Sequence, residues 1–417
     1  MYSAIMIGAE VEVEPNEWII IVLIDATGYL VTEFKYTVNG YLKNEKYREC
    51  EKDMKHEIIE QIILGKNNPA KIILHSNTPN FSSMKLLKQK VLKKYSKNLI
   101  ILEEDWRNYD PKFVSEISHF LLDNSFTKYH ILPTSHQNYV IGFECGGKKI
   151  PLILCKKDQI VPFKKTIRIP KTPLKLFLGF IDKNNFIVNH VFQFPREAHA
   201  YQLTLQIDAN NFLLPDTKGV LSTKVPALTK LLNKKMDSKI PVIAFHFELS
   251  FIYIYDDEKG GYKLLDSWNG KLGKELFISF DEKKPKFFEK AAKKFQSTCN
   301  SVVHDIIQTM SKPLPKTYSV TSDSENPILF KYTNFDGSKK TATPAKIMSL
   351  LLKEHLKVIE NESGEFPRAI AFSLLDDYDE DKGGSDEKNR IKKELKKSCD
   401  LINLECSFVD TNFASIF

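Results

Sequence analysis

The chain has 417 residues, 42% of them hydrophobic and 27% charged, with a formal net charge of +7. That balance excludes disordered, collagen-like and membrane-embedded proteins and leaves a soluble globular chain with length for two or three domains of ~100–200 residues. Its positive charge is nearly all lysine, since the only arginines are Arg48, Arg107, Arg168, Arg196, Arg368 and Arg390. Readers of nucleic acid lean on Arg for bidentate contacts, so the excess reads as a solvated lysine surface.

Six cysteines (Cys50, Cys145, Cys155, Cys299, Cys399 and Cys406) form no CxxC pair, and no His lies at zinc-ligand spacing from them. Scattered free thiols fit a reducing compartment. The amino terminus lacks the basic-then-apolar pattern of a signal peptide, and the apolar run at 18–24 is far too short to span a bilayer. The expectation is a cytoplasmic or nuclear protein with neither a nucleic-acid nor a membrane partner.

Residues 16–43 read as strand, turn and strand, with the first run apolar on both faces like a central strand. Asp25-Ala26-Thr27-Gly28 makes the turn, where Gly28 could supply a positive φ. A helix is expected over 45–64 with Tyr47, Met54, Ile58, Ile62 and Ile63 inward, then a buried strand at 71–74 and the turn HSNTPN. A basic amphipathic helix follows at 82–95, with Leu86, Leu87, Val91 and Leu92 as its apolar face. Asp110-Pro111 opens another helix lined by Val114, Ile117, Phe120 and Leu121. Residues 1–125 are therefore an α/β layer unit.

After a linker at 126–138, residues 139–220 carry about seven short strands and no convincing helix, a β-sandwich or barrel pattern. The seventh strand is expected at NFLLP, residues 211–215, with hairpin turns at Gly146-Gly147 and residues 208–211. A second linker spans 221–235. Residues 236–417 return to α/β: a hairpin from 240–255 to 261–265, mostly helix over 286–310, a strand at 328–333 and a helix from Thr343-Pro344 to 358. A buried strand at 369–374, an acidic loop, a helix at 387–402 and a strand at 405–409 complete it.

No Gx4GK[ST], GxGxxG, HExxH or GxSxG occurs. The acidic run at 376–381 lacks the spaced oxygens of a calcium loop and reads as a solvated loop. His246, between Phe245 and Phe247, reads as a core histidine. His75-Ser76 lies at a strand end, with no Asp at a triad position. From the residues alone, these are two α/β units around a β-sandwich.

Several stretches together resemble the seventy-kilodalton heat-shock chaperones and their hundred-and-ten-kilodalton relatives. IVLIDATGYLVTEF resembles the second phosphate hairpin of their nucleotide-binding domain, and KIILHSNTPNFSSMKLLKQKV the adenosine-contacting turn. YVIGFECGGKKIPLILCKKDQIVPFKKTIRI and QLTLQIDANNFLLPDTKG resemble the substrate-binding sandwich. VIAFHFELSFIYIY stands where the first phosphate hairpin belongs, and FDGSKKTATPAKIMSLLLKEHLKVI and RAIAFSLLDDYDE follow that lobe's pattern. The order is that of a circular permutation: the family's first lobe lies last. The small subdomain that clamps adenosine has no room between Asp25 and Tyr47.

The resemblance implies a two-lobed actin-like ATPase-type body, split and permuted, with an inserted peptide-binding-like β-sandwich. It implies ATP and magnesium near Asp25, Gly28 and Ser250, with His75 and Ser76 at the adenosine turn. The chemistry reads as degenerate, however. His246, Glu248 and Leu249 take the Asp, Gly and first Thr positions of the first phosphate loop, Ile306 the family lysine and Thr411 the catalytic glutamate. A peptide cleft would lie near Phe143, Cys145 and Ile169, unless these pack in the core. The expected partners are an unfolded or extended polypeptide or an active chaperone, with no confident catalytic residue and no metal ligand. A weak ATPase retaining Asp25 is the alternative.

Overall fold

The apolar run at 18–24 forms β1 (Trp18–Ile24), whose Ile19, Ile20, Ile21 and Val22 are fully buried in a computed structural model of the chain. Burying each such side chain contributes about 1.5–3 kcal/mol. The structure describes residues 1–44, 47–123, 125–145, 148–171, 175–183, 185–194, 197–295, 297–311, 320–324, 326–376 and 384–410. They separate into two units. The first is Met1–His136 with Lys157–Pro162 and Asp208–Phe212; the second is Gln137–Lys156 with Phe163–Ile207 and Leu213–Phe417. The chain is a mixed α/β protein with several sheets.

In the first unit, α1 (Tyr2–Gly8) precedes β1, β2 (Gly28–Thr37), β3 (Gly40–Lys43) and β4 (Arg48–Glu51). Then come α2 (His56–Leu64), β5 (Lys71–His75), α3 (Ser82–Leu86), β6 (Leu99–Leu102) and α4 (Asp110–Leu122). The sheet order is β3-β2-β1-β5-β6, with β1–β2 and β2–β3 antiparallel and β1–β5 and β5–β6 parallel. A strand alternates its side chains, so β1 feeds two cores. Ile20 and Val22 pack with Ile59 and Ile63 of α2, and Ile19 and Ile21 with Ile5 and Ile7 of α1.

Three expectations change here. Residues 48–51 form β4, paired with the first residues of β2, so the expected helix is α2 alone. Its inward residues, Ile59 and Ile63, are four apart, whereas Tyr47, Met54 and Ile58 are exposed. In α4, Val114 and Leu121 are 62% and 71% exposed and no residue is buried. Phe113 instead packs on the core, and Phe120 stacks on His130 at 4.0 Å. Gly28 needs no positive φ: an added Cβ would lie 2.3 Å from the Cys50 carbonyl, so β4 approaches too closely for any side chain.

The second unit opens with β7 (Asn138–Cys145), β8 (Lys148–Cys155), β9 (Phe163–Pro170), β10 (Leu176–Asp182), β11 (Asn185–Val191), β12 (Ala200–Ile207) and β13 (Asp216–Val220). They form two open antiparallel sheets, β11-β10-β7-β8 and β13-β12-β9. The seventh strand is β13, after the expected 211–215, which contributes only an isolated bridge between Ile207 and Leu213. Residues Gly146 and Gly147 lie outside the described residues.

The rest of this unit is α/β. Residues 221–235, read as a linker, contain α5 (Lys224–Lys235), which buries Val225, Leu228, Leu231 and Leu232. Next come β14 (Val242–His246), β15 (Leu249–Asp256) and β16 (Gly261–Leu264), so 240–255 is itself a hairpin. The stretch expected as helix is broken into several short pieces. After β17 (Lys274–Glu275) and β18 (Ile278–Ser279) these are β19 (Lys286–Phe287), α6 (Glu289–Lys294), β20 (Val302–Val303) and α7 (Ile306–Ser311). Beyond β21 (Val320–Thr321), β22 (Leu329–Thr333) and β23 (Lys339–Ala342) lie α8 (Pro344–Ser363), β24 (Ala369–Leu374), α9 (Gly384–Asp400) and β25 (Glu405–Phe408). Thr343 caps α8 by accepting from the Lys346 N–H.

The main sheet here runs β16-β15-β14-β24-β25. Its two antiparallel and two parallel pairings follow the order of the first unit's sheet. Even the extra strand repeats, β17 pairing with β15 as β4 pairs with β2. One face packs on α8 and α9 through Ile347, Leu351, Ile391 and Leu395, the other on α5.

Candidate functional site

Equivalent hairpin turns join β1 to β2 and β14 to β15, at the places where the resemblance puts phosphate loops. In the first, Asp25 Oδ1 accepts the Thr27 N–H at 2.7 Å, the Thr27 hydroxyl at 2.6 Å and the Gly28 N–H at 3.0 Å. The turn satisfies its own amides, as Asx turns do. These bonds, that from the Thr27 hydroxyl foremost, hold the exposed Asp25 carboxyl below its usual range.

The second turn is occupied by acids. Phe247, at φ 53°, donates its N–H to both oxygens of Asp376, at 3.0 and 2.9 Å. Asp376 Oδ1 also lies 2.8 Å from His246 Nδ1, so this buried histidine is a core residue with an acidic neighbour. Glu248 is buried, its Oε2 accepting the Ile307 N–H at 3.2 Å and its Oε1 the Gln308 N–H at 2.8 Å. These are first-turn amides of α7, which lack intrahelical partners. Burial, helped by Asp305, pushes the Glu248 carboxyl well above its usual range despite these bonds.

Ile306, which the resemblance sets at a lysine position, is fully buried at the start of α7. Ser250 is equally buried: its hydroxyl donates to the Lys274 carbonyl at 3.3 Å and accepts from Trp268 Nε1 at 3.2 Å. It is a core residue of β15 and offers nothing to a ligand. Thr411 and residues 377–381 lie outside the described residues. The residues present do not fit a nucleotide phosphate: one turn spends its amides on Asp25, and the other presents the carboxylates of Glu248 and Asp376. Among the described residues, no cluster of His, Cys, Asp and Glu has the geometry of a metal site.

At the turn that the resemblance assigns to adenosine, His75 is buried, its Nε2 3.1 Å from the Glu104 carbonyl, and burial lowers its pKa. The Ser76 hydroxyl donates to the Thr78 carbonyl and accepts the Thr78 N–H, both at 3.2 Å. Each side chain is bonded to backbone, His75 at Glu104 and Ser76 at Thr78.

The cleft residues are not brought together on one sheet. Phe143 lies on β7, paired on one side with Leu176 of β10 and on the other with Ile150 of β8. Ile169 lies on β9, opposite Tyr201. Cys145 ends β7 opposite Lys148, and its side chain lies outside the described residues. Main-chain pairing with a peptide is closed at Phe143, because β7 already uses both edges.

The open edges differ in chemistry. β8 carries Lys149 and Pro151, β9 Lys164, Lys165 and Arg168, and β13 Asp216 and Lys218. Charge and proline are the usual guards of an edge. β11 (NFIVNHV) has no Asp, Glu, Lys, Arg or Pro, and its Ile187, Val188 and Val191 are 43%, 39% and 49% exposed. A bulge at Leu178/Gly179 shapes its pairing with β10, where a Cβ on Gly179 would lie 2.0 Å from the Ile187 carbonyl. Sequence reading saw this strand but not that it forms an edge; its lack of charge was the available signal. Against known proteins, no family model matches the chain, and no curated protein is similar to it.

Proposed function

We propose that the chain is a polypeptide-binding protein of the chaperone type. It would be built on a degenerate actin-like body with a β-sandwich, without ATP hydrolysis. The observation that carries the reading is the β11 edge, which has no charged residue or proline of its own and, among the described strands, pairs only with β10, although Lys149 Nζ reaches the Phe186 carbonyl at 3.2 Å. An extended segment can add there as a further strand, held by main-chain hydrogen bonds over about 20 Å, with Ile187, Val188 and Val191 against its apolar side chains. The repeated sheet order in the two units supports an actin-like ancestry, and the carboxylates at the second turn support the loss of nucleotide chemistry. Contact with an active chaperone is the same kind of event, with a folded partner supplying the strand.

The test is suppression of aggregation of an unfolded client by the full chain. Ile187→Lys with Val188→Lys places two charges on the exposed edge and should abolish suppression while leaving the melting temperature unchanged. Phe143→Asp tests the sequence-derived cleft in parallel. Undiminished suppression by the double lysine variant overturns the edge assignment. Thermal stabilisation by ATP and magnesium that disappears in Asp25→Ala would instead overturn the inactive reading and favour the weak ATPase.

A further inference from the structure

A second surface, on the first unit, has no role in the reading above. From Ser82 to Asn98 the chain contains six lysines, Lys85, Lys88, Lys90, Lys93, Lys94 and Lys97, and no Asp, Glu or Arg. The whole chain has a net charge of only +7. The segment is mostly helical, interrupted at Leu92 and Tyr95. It starts as α3 and widens at Leu87–Val91 into a turn with an i→i+5 bond, Leu92 N–H to Leu87 carbonyl at 2.8 Å. It ends in tighter turns at Lys93–Asn98. Widened turns of this kind recur at functional positions.

Packing divides the segment sharply. Met84, Leu87, Val91 and Leu92 are buried in the core with Ile59 and Ile63, and all six lysines are exposed. Lys94 is paired with Glu60. Among the described residues, no carboxylate lies within ion-pair distance of Lys85, Lys88, Lys90, Lys93 or Lys97. Five unpaired cations thus lie within about 18 Å of helix. Their mutual repulsion is relieved only by solvent, salt or an acidic partner.

We infer that this lysine surface docks an extended acidic polypeptide segment, a run of Asp and Glu about six residues long. Charge complementarity sets the sign of the partner, and the surroundings set its class. Nucleic acid is disfavoured by the absence of Arg and of an exposed aromatic, since Tyr95 is half-buried and bonded to Glu60. A lipid surface is disfavoured because the segment's apolar residues are already in the core and leave nothing to insert. In addition α2, packed against the widened turn, exposes Glu57, and β4 exposes Glu49 and Glu51. These exposed acids on neighbouring elements disfavour a flat anionic sheet more than a narrow peptide.

The experiment uses the full chain and a labelled eight-residue oligoglutamate peptide, followed by fluorescence anisotropy. Binding should weaken at least tenfold between 50 and 200 mM salt. It should fall at least tenfold in the Lys85→Gln, Lys88→Gln, Lys93→Gln, Lys97→Gln variant, whose circular dichroism melt should match the parent. A control at an unrelated basic strand, Lys339→Gln with Lys340→Gln, should bind as the parent does. Unchanged peptide affinity in the quadruple variant overturns the inference. So does tighter binding of a single-stranded oligonucleotide, or of phosphatidylserine vesicles, than of the peptide. Client suppression through β11 is a separate readout, so either proposal can fail without the other.

Discussion

Glu248 Oε1 accepts the backbone N–H of Gln308 at 2.8 Å, so the carboxylate of one hairpin turn caps the first turn of a helix nearly sixty residues further on. The first-turn amides of a helix lack intrahelical partners, and here a side chain of the protein supplies the acceptor. The arrangement carries a cost. Glu248 is buried beside the negative field of Asp305, and its protonated form is favoured in the fold.

The pH dependence follows from that direction. A carboxyl whose folded pKa is raised contributes its full stability below the unfolded value, near 4.5, and loses it as pH rises through the folded value. Glu248→Gln removes the titration while keeping an oxygen acceptor. Its melting temperature should therefore gain on the parent's as pH increases from 4.5 to 8. Parallel melting curves across that range would show that Glu248 does not titrate in the fold.

His355 works in the opposite sense. It is fully buried on α8, its Nδ1 2.8 Å from the Leu351 carbonyl and its ring 4.3 Å from that of Trp268. Burial lowers its pKa to about 4. A depressed folded value gives stability that is present above about 6.5 and lost as pH falls toward 4, on the order of 3 kcal/mol in all. Denaturant titrations at pH 7 and pH 4.5 should therefore converge for His355→Phe relative to the parent. An undiminished acid loss in the variant would remove His355 as its source.

Arg48 holds a buried acid in the first unit. Its NH2 lies 2.8 Å from Glu33 Oε1, and it donates to the Ile63 carbonyl at 2.8 Å. Glu33 is only 2% exposed and also accepts from Asn44 at 2.7 Å. Arg48→Met should destabilise the chain by about 3 kcal/mol, because it leaves a buried carboxylate without its cation. Restoration of the parental melting temperature by Glu33→Gln in the same chain would assign the loss to that charge. If Glu33→Gln restores nothing, the loss lies in packing of the Arg48 stem.

Much of the fold was legible because its signals are local. β1, β24 and the strands from β7 to β12 follow from apolar runs and alternation, and α8 from Thr343-Pro344 and its inward leucines. The failures share a cause. Residues 45–55 carry apolar side chains at helical spacing, yet Arg48, Glu49, Cys50 and Glu51 pair with β2, whose edge sequence alone does not reveal. Val114 and Leu121 match a helix stripe but face solvent because Phe113 and Phe120 make that helix's contacts. In α5 the signal lies in Val225, Leu228, Leu231 and Leu232, interleaved with lysines that give the stretch the composition of a linker.

Sequence alone determined that the chain is mixed α/β and where many of its strands run. Residue type and periodicity are properties of neighbours in the chain. Only tertiary structure decided that Glu248 fills the α7 amides, that Asp25 is spent within its own turn, and that Ser250 is locked beneath Trp268. It also decided that Phe143 lies on a strand paired at both edges while β11, among the described strands, pairs only with β10. Hydrogen-bond partners and sheet edges are set by segments far apart in sequence, which no local pattern encodes.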